Sequence, residues 1–238
     1  MPHRPHLIVG SYNVHKGVGS DRRRDPRRTL AVIREIGAQV MALQEVDRRF
    51  GDRRGVLDLD ALHAETGLRP VPLSDRKGDL AHGWHGNLIL FRDGELEDAR
   101  VIDLPGLEPR GAIVADLRFG GQRLRVIAAH LGLLKGSRLQ QARRLAVEIG
   151  DDRPTVMMGD LNEWRHGPGC SLMALKTGLD SASSARAVAS FPAKRPLLAL
   201  DRIFGSTLAS VSDLASHDTP LARLASDHLP IRARLRLG

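Results

Sequence analysis

The sequence predicts an α/β domain with mixed parallel and antiparallel strands, on three observations. Short apolar runs dominated by Val, Ile and Leu recur along the chain and are bounded by Gly, Pro or Asp, as buried strands are. Segments with apolar residues at helical spacing lie between several of these runs, and strands separated by helices pair in parallel. One pair of runs, by contrast, is joined by Phe119-Gly120-Gly121-Gln122, a spacing and glycine content that make an antiparallel hairpin.

The first strand is predicted over residues 6–12. Asp25 followed by Pro26 caps a helix over 26–36, with proline in the first turn where its missing N–H costs nothing. A strand at 40–44, a helix at 57–66 and a strand at 87–91 come next. The hairpin takes 111–117 and 124–130. Residues 137–149 place Leu139, Ala142, Leu145 and Ile149 on one helical face. A strand at 155–158 precedes a further turn or two of helix at 171–176. The stretch 180–196, rich in Ser, Ala and Arg, reads as a surface loop of the kind that borders sites. Strands at 198–204 and 230–237 close the series, and no repeat or linker divides the chain, so residues 1–238 read as a single domain.

Of the 238 residues, 42% are hydrophobic and 27% charged, which suits one sizeable core and excludes disorder. Thirty-six basic against 28 acidic residues give a formal charge of +8. A basic surface attracts polyanions, so nucleic acid, an anionic membrane surface and phosphorylated small molecules are the candidate partners. The densest basic run, Arg22, Arg23, Arg24, Arg27 and Arg28, reads either as a polyanion contact or as a solvated loop and helix start. The single Cys170 excludes an intrachain disulfide framework and suits a reducing compartment. The first residues, Met-Pro-His-Arg-Pro-His, lack the apolar stretch of a signal peptide. No segment approaches the roughly 20 apolar residues of a membrane span. The expectation is a cytoplasmic monomer that can touch a membrane surface but is not integral to it.

The chemistry-bearing residues stand at strand ends, where α/β folds open onto ligand sites. Asn13, Glu45, His130, and Asp160 with Asn162 each follow an apolar run, and Asp227-His228 precedes the last one. Any one of them alone is a turn or cap residue. Glu45 and Asp227 are hard carboxylate donors suited to Mg²⁺, which keeps open positions for phosphate. Asn13 serves there as a neutral oxygen ligand or as a support for a carboxylate. The alternative for Glu45 is an ion pair with Arg48 or Arg49. In Gly159-Asp160-Leu161-Asn162, residues two apart on extended backbone point the same way. Asp160 is thereby set to orient or deprotonate water and Asn162 to donate to phosphate. Asp201 lies in an apolar strand, where a charge needs a partner. It is read as the partner of His228, or else of Arg202 or Arg110. His15 and Lys16 are candidates for the cleft lining. His82 and His85, flanking Trp84, are read as loop residues rather than metal ligands.

Taken in order, SYNVHKG, ALQEVD, HGNLILF, AAHLGL, MGDLNEW, LDRIF and SDHLPI resemble the motifs of the endonuclease/exonuclease/phosphatase superfamily and span residues 11–231. That superfamily includes pancreatic-type deoxyribonucleases, exonuclease-III-like endonucleases, neutral sphingomyelinases and inositol-polyphosphate 5-phosphatases. The resemblance implies a four-layer α/β sandwich, two mixed β-sheets packed face to face with helices outside. It also implies a Mg²⁺ site, open to Mn²⁺, centred on Glu45 with Asn13 and Asp227, and in-line attack of water on a phosphate ester. His130, Asp160, Asn162, Asp201 and His228 would be catalytic, and Asn87 would meet the substrate. Arg110, in Glu108-Pro109-Arg110-Gly111-Ala112, either reaches the substrate phosphate or makes a strand-entry salt bridge. The chain departs from abasic-site endonucleases in having Phe191-Pro192-Ala193-Lys194-Arg195-Pro196 where a Trp-rich segment is usual, and GDLN for GDFN. With 3% aromatic residues, few side chains are available to wedge into a duplex. The expected activity is phosphodiester hydrolysis, with nucleic acid as a candidate substrate. The alternatives are a phospholipid or small-molecule phosphoesterase, and a non-catalytic phosphate-binding module.

Overall fold

The computed structural model describes residues 6–48, 51–75, 78–150, 152–179 and 187–238. Eleven strands form two mixed sheets among the described residues. The first sheet contains β1 (Leu7–Asn13), β2 (Val40–Gln44), β3 (Arg69–Pro70), β4 (Leu88–Phe91), β10 (Ala209–Ser216) and β11 (Ile231–Leu237), in the order β10-β11-β1-β2-β4-β3. The second runs β5-β6-β7-β8-β9, from β5 (Glu95–Leu104), β6 (Arg110–Phe119), β7 (Gln122–His130), β8 (Thr155–Asp160) and β9 (Asp201–Gly205). Parallel pairing is confined to β1 with β2 and β7 with β8. The β6–β7 turn is the expected hairpin, with Gly120 and Gly121 both at positive φ, 53° and 84°.

The sheets pack face to face through Val9, Ala42, Ile89 and Phe91 on one side and Ile113, Val126, Ala128, Val156, Met158 and Ile203 on the other. Alternate residues of the same strands turn outward into two further apolar layers. Tyr12, Met41, Leu43 and Leu88 pack against α1 (Pro26–Ile36), α2 (Leu59–Thr66) and α4 (Pro220–Ala225). Ala112, Val114, Ile127 and Met157 pack against α3 (Lys135–Ala146). Both faces of β2 and β8 are therefore covered, which is why those strands read as continuous apolar runs. Each such fully buried Leu, Ile or Val contributes about 1.5–3 kcal/mol. The four-layer sandwich is the architecture expected from the sequence.

Helix starts follow the capping logic. Asp25 accepts from Arg27 N at 3.2 Å with Pro26 in the first turn, and Asp58 accepts from Ala61 N at 2.9 Å. In the basic run ahead of α1, Arg28 pairs with Asp21 and Asp25, and Arg22, Arg23 and Arg24 are exposed. α3 begins two residues before the expected helix and ends three before its predicted end, and the expected turn near 171 is a short 3-10 segment at Met173–Thr177. Of the predicted loop 180–196, residues 180–186 lie outside the described residues. Two long strands, β5 and β10, and the short α4 were not expected. β5 and β10 are half-exposed sheet edges, the first rich in charge and the second in serine and alanine, so their sequences lack the apolar signal of a buried strand. Among the described residues no helix is long and apolar enough to cross a membrane.

Candidate active site

Strand register assembles the site. Parallel pairing sets His130 at the end of β7 beside Asp160 at the end of β8, and antiparallel pairing sets Asp160 beside Asp201 at the start of β9. Cross-strand partners project from one face. That face is the inter-sheet face, since Ala128, Met158 and Ile203, two residues away on each strand, belong to the inter-sheet core. A row of three polar side chains thus caps the core at one end of the second sheet. Asn13, ending β1 of the first sheet, reaches across and donates through Nδ2 to Asp160 Oδ2 at 3.0 Å.

Asp160 is the hub. Its Oδ2 also lies 3.4 Å from His130 Nε2 and 3.7 Å from His228 Nε2, and its Oδ1 accepts from Asn162 N at 3.1 Å. Gly159 is required next to it. At φ 154° a Cβ there would sit 1.8 Å from Ala129 O, so only glycine lets β8 approach β7 at this point. His228, delivered by the loop before β11, donates through Nδ1 to Asp201 Oδ2 at 2.9 Å. Ser190 Oγ donates to the same oxygen at 2.5 Å, while Asp201 Oδ1 is buried without a partner. Arg202, the rival partner, instead donates to the carbonyls of Ala199 and Glu163.

The two imidazoles are driven in opposite directions. Burial alone would lower the pKa of His228, but Asp201, Asp160 and Asp227 outweigh it and raise the value to about 10. His130 is lowered to about 4, by burial first, with Arg110 and His228 adding to the effect against Asp160 and Glu45. At neutral pH the site therefore holds one imidazolium and one neutral imidazole, the split that separates acid from base roles.

Glu45 opens the cleft side of the site, at a left-handed φ of 58° that a non-glycine residue rarely adopts. Its carboxylate pairs with Lys16 rather than with Arg48, and Arg49 lies outside the described residues. Burial opposes ionisation of Glu45, yet its pKa falls to about 2 through His130, when charged, and Lys16. With His130 neutral, Lys16 is the effective cause at pH 7. Lys16 reaches Glu45 because His15 and Lys16 also take left-handed backbone, at φ 44° and 56°. A cleft of about 370 Å³ here is lined by Lys16, Glu45, His85, Arg110 and His130 among others. Arg110 lines the cleft and pairs with Glu108 at 2.9 Å.

The structure places four further expected residues as follows. Asn87 is 0% exposed and spends its amide on the carbonyls of Trp84 and Gly111, at 3.1 and 2.9 Å. It braces the turn before β4 against β6 and does not face the cleft. Asn13 turns Nδ2 toward Asp160 and Glu45, because its Oδ1 accepts from His15 N at 3.0 Å. It holds the carboxylates, the second of the two roles the sequence allowed for it. Asn162 donates through Nδ2 to Leu131 O at 2.9 Å, which leaves one amide hydrogen for a ligand. Asp227 stands at the rim, its side chain 38% exposed and 3.6 Å from His15 Nδ1. His82 is held by the Leu57 backbone, as a loop residue would be. The sequence reading missed Ser190. It also missed Glu163, which is 0% exposed and joins Ser171 and Arg138 in a buried cluster beneath Asn162. The charge of Glu163 directly after Asp160-Leu161-Asn162 was the available signal for the second.

The donor chemistry fits a hard divalent cation at Glu45, an ionised carboxylate with a positive charge already drawn to it in Lys16. Ligand atoms of Asp160, Asp201 and His228 also lie within 4.8 Å of one another. That trio is better suited to proton handling, since His228 carries its proton between two carboxylates.

The "Uncharacterized protein YbhP" of Escherichia coli K12 is 30% identical over 253 residues, covering 96% of each chain. Among solved structures, the endonuclease/exonuclease/phosphatase from Bacteroides vulgatus superposes with a TM-score of 0.77 at 16% identity, over 99% of this chain and 100% of that one. ANGEL2, a 2′,3′-cyclic phosphatase solved with adenosine-2′,3′-vanadate, gives a TM-score of 0.69 at 16% identity over 99% and 97%. The sequence model of the Endonuclease/Exonuclease/phosphatase family matches residues 10–228. The chain belongs to that family, phosphoric ester hydrolases that typically work with a divalent metal ion.

Proposed function

We propose that this hydrolase is a Mg²⁺-dependent phosphodiesterase, with Mn²⁺ able to substitute and nucleic-acid strands as its first candidate substrate. The observation that carries the reading is the row His130, Asp160 and Asp201, completed across the sandwich by Asn13 and from the last loop by His228. Water attacks phosphorus opposite the leaving oxygen, and the new P–O bond forms as the ester bond breaks. Asp160 takes the proton of the attacking water, its two oxygens oriented by Asn13 Nδ2 and Asn162 N. The imidazolium of His228 directs Nε2–H at the charge growing on the phosphoryl oxygens, and Asp201 and Ser190 sustain that charge from behind. Neutral His130 adds a second donor, and Arg110 a fixed charge at the rim. Glu45, with Asp227 as a further carboxylate donor, would hold the Mg²⁺, which would supply positive charge toward the phosphate. Among the described residues the cleft is lined by Lys16, Arg48, Arg53 and Arg110 and by no Phe, Tyr or Trp, a lining that suits contact with phosphates better than base stacking. That lack favours, as a second reading, a lipid headgroup or small phosphoester as the natural substrate.

The test is hydrolysis of bis-p-nitrophenyl phosphate with Mg²⁺, Mn²⁺ or EDTA, followed by single-stranded, duplex and phospholipid substrates. Turnover should need the metal and fall by about 10²–10⁴-fold in Asp160→Ala. Undiminished turnover in that variant would remove Asp160 from its role, and turnover in EDTA would remove the cation.

A further inference from the structure

One wall of the cleft carries charge that the reaction above does not use. Besides the residues already placed, Asp47, Arg48 and Arg53 line it, all from the loop that follows Glu45. The other cations there have carboxylate partners: Lys16 has Glu45, and Arg110 has Glu108 at 2.9 Å. Arg54, on the same loop, pairs with Asp52 at 3.3 Å. The acid nearest to hand, Asp47, accepts from His82 N at 2.8 Å and feels the charge of Arg53 from beyond ion-pair distance. Arg48 and Arg53 have no carboxylate within ion-pair distance among the described residues, and both face the same hollow as Glu45 and His130.

The loop is also built to hold them there. Arg48 N donates to Arg54 O at 3.0 Å, Val56 N to Val46 O at 2.9 Å, and Gly55 N to Leu80 O at 2.8 Å, so the chain folds back on itself beside the site. Arg53 takes a left-handed φ of 51°, an unfavourable choice for a side chain of this size, and such outliers gather where a residue is wanted in a particular place. Guanidinium groups meet phosphate through paired N–H donors, and two unpartnered ones on one wall present a ready anion site.

We propose that Arg48 and Arg53 form an anion subsite beside the reaction centre, and that the preferred substrates are phosphodiesters carrying a second phosphate next to the scissile one. The proposal rests on the hydrolytic reading above and narrows it. The second phosphate is supplied equally well by a neighbouring nucleotide or by a phosphorylated headgroup, and two substrate pairs separate these sources. The first is the thymidine dinucleotide TpT against pTpT. The second is glycerophosphoinositol against its 4-phosphate. Within each pair the scissile bond is the same.

For the wild-type enzyme with Mg²⁺, kcat/KM should be about tenfold higher for the phosphorylated member of at least one pair, a preference that shrinks as salt is raised. In the Arg48→Gln, Arg53→Gln double variant the preference should collapse toward one. The pair with the larger preference identifies the source. Calorimetric titration of the same four compounds in EDTA reads the subsite without turnover. Tighter binding of the phosphorylated member with no hydrolysis of any compound would support the subsite and sink the phosphodiesterase reading. Equal kcat/KM and equal affinity within both pairs would overturn the subsite, as would a preference that survives in the double variant.

Discussion

Replacing Asp201 by asparagine removes one charge from the site at nearly constant volume. In the native protein the rise of His228 from 6.5 to about 10 corresponds to roughly 5 kcal/mol in favour of the imidazolium, at about 1.4 kcal/mol per pKa unit. Burial works against that rise, and Asp201 is the largest of the three carboxylates that produce it. With Asp201 neutral, burial is opposed only by Asp160 and Asp227. The substituted amide can moreover donate to an unprotonated Nδ1, which favours the neutral ring. The His228 pKa should fall to about 7 or below. An NMR titration of the imidazole measures it directly. The stability profile gives an independent check. Because the folded pKa lies above the unfolded one, the stabilisation from His228 is complete below pH 6.5 and is lost as pH rises toward 10. Asp201→Asn should flatten that alkaline decline in urea unfolding, and should lower kcat at pH 8 by about 10²-fold or more. A His228 that still titrates near 10 in the variant would refute the assignment of Asp201 as the source of its charge. One that titrates near 6.5 in the native protein would refute the whole electrostatic account.

Other substitutions test separate parts of the structure. Glu45→Gln should weaken Mg²⁺ binding by calorimetry and raise the Mg²⁺ needed for half-maximal activity at least tenfold, while the fold survives because the side chain is partly exposed. It should also remove an acid-side stability loss, since a carboxyl lowered to about 2 stabilises above pH 4.5 and ceases to do so as pH falls toward 2. Arg138→Met leaves Glu163 without its buried guanidinium partner, although Ser171 still donates to it and the half-exposed Arg165 lies 3.7 Å away. A cost of about 3 kcal/mol is expected, seen as a drop of about 6–12 °C in Tm. Gly159→Ala drives a methyl into the Ala129 carbonyl beside Asp160 and should abolish activity and soluble expression together, whereas activity at wild-type level would show that β7 and β8 separate easily.

The site was legible to the extent that it depends on chemistry at strand ends. Asp160, His130, Asp201 and His228 are polar residues placed where an apolar run stops, and period-two alternation extends the inter-sheet face straight to them. What joins them was not legible. The register that lines up His130, Asp160 and Asp201 is a property of three strands distant in sequence, and so is the reach of Asn13 across the sandwich. Lys16 escaped a firm assignment because its approach to Glu45 depends on left-handed backbone at His15 and Lys16, which nothing in their side chains demands. Asn87 was misjudged because its motif position says nothing about which way its amide turns. The missing strands β5 and β10 failed for a different reason. An edge strand satisfies water on one side, so charged residues in β5 and serines in β10 replace the apolar run that marks a buried neighbour.

The chain path gives the hydrogen bond between Asn13 and Asp160 a kinetic meaning. The first sheet takes β1 to β4 from the early part of the chain and β10 and β11 from the late part, while the second sheet is built wholly from what lies between. β11 must find β1, pairing Leu7 with Leu235, before the loop bearing His228 is held over Asp201. Contacts of such long sequence separation form slowly, because a large loop must close before they are rewarded. The second sheet alone lines up His130, Asp160 and Asp201 but lacks both the imidazolium and the amide that complete the site. Regain of hydrolysis during refolding therefore follows the last long-range closure rather than the appearance of secondary structure, and the enzyme is silent until its two ends have met.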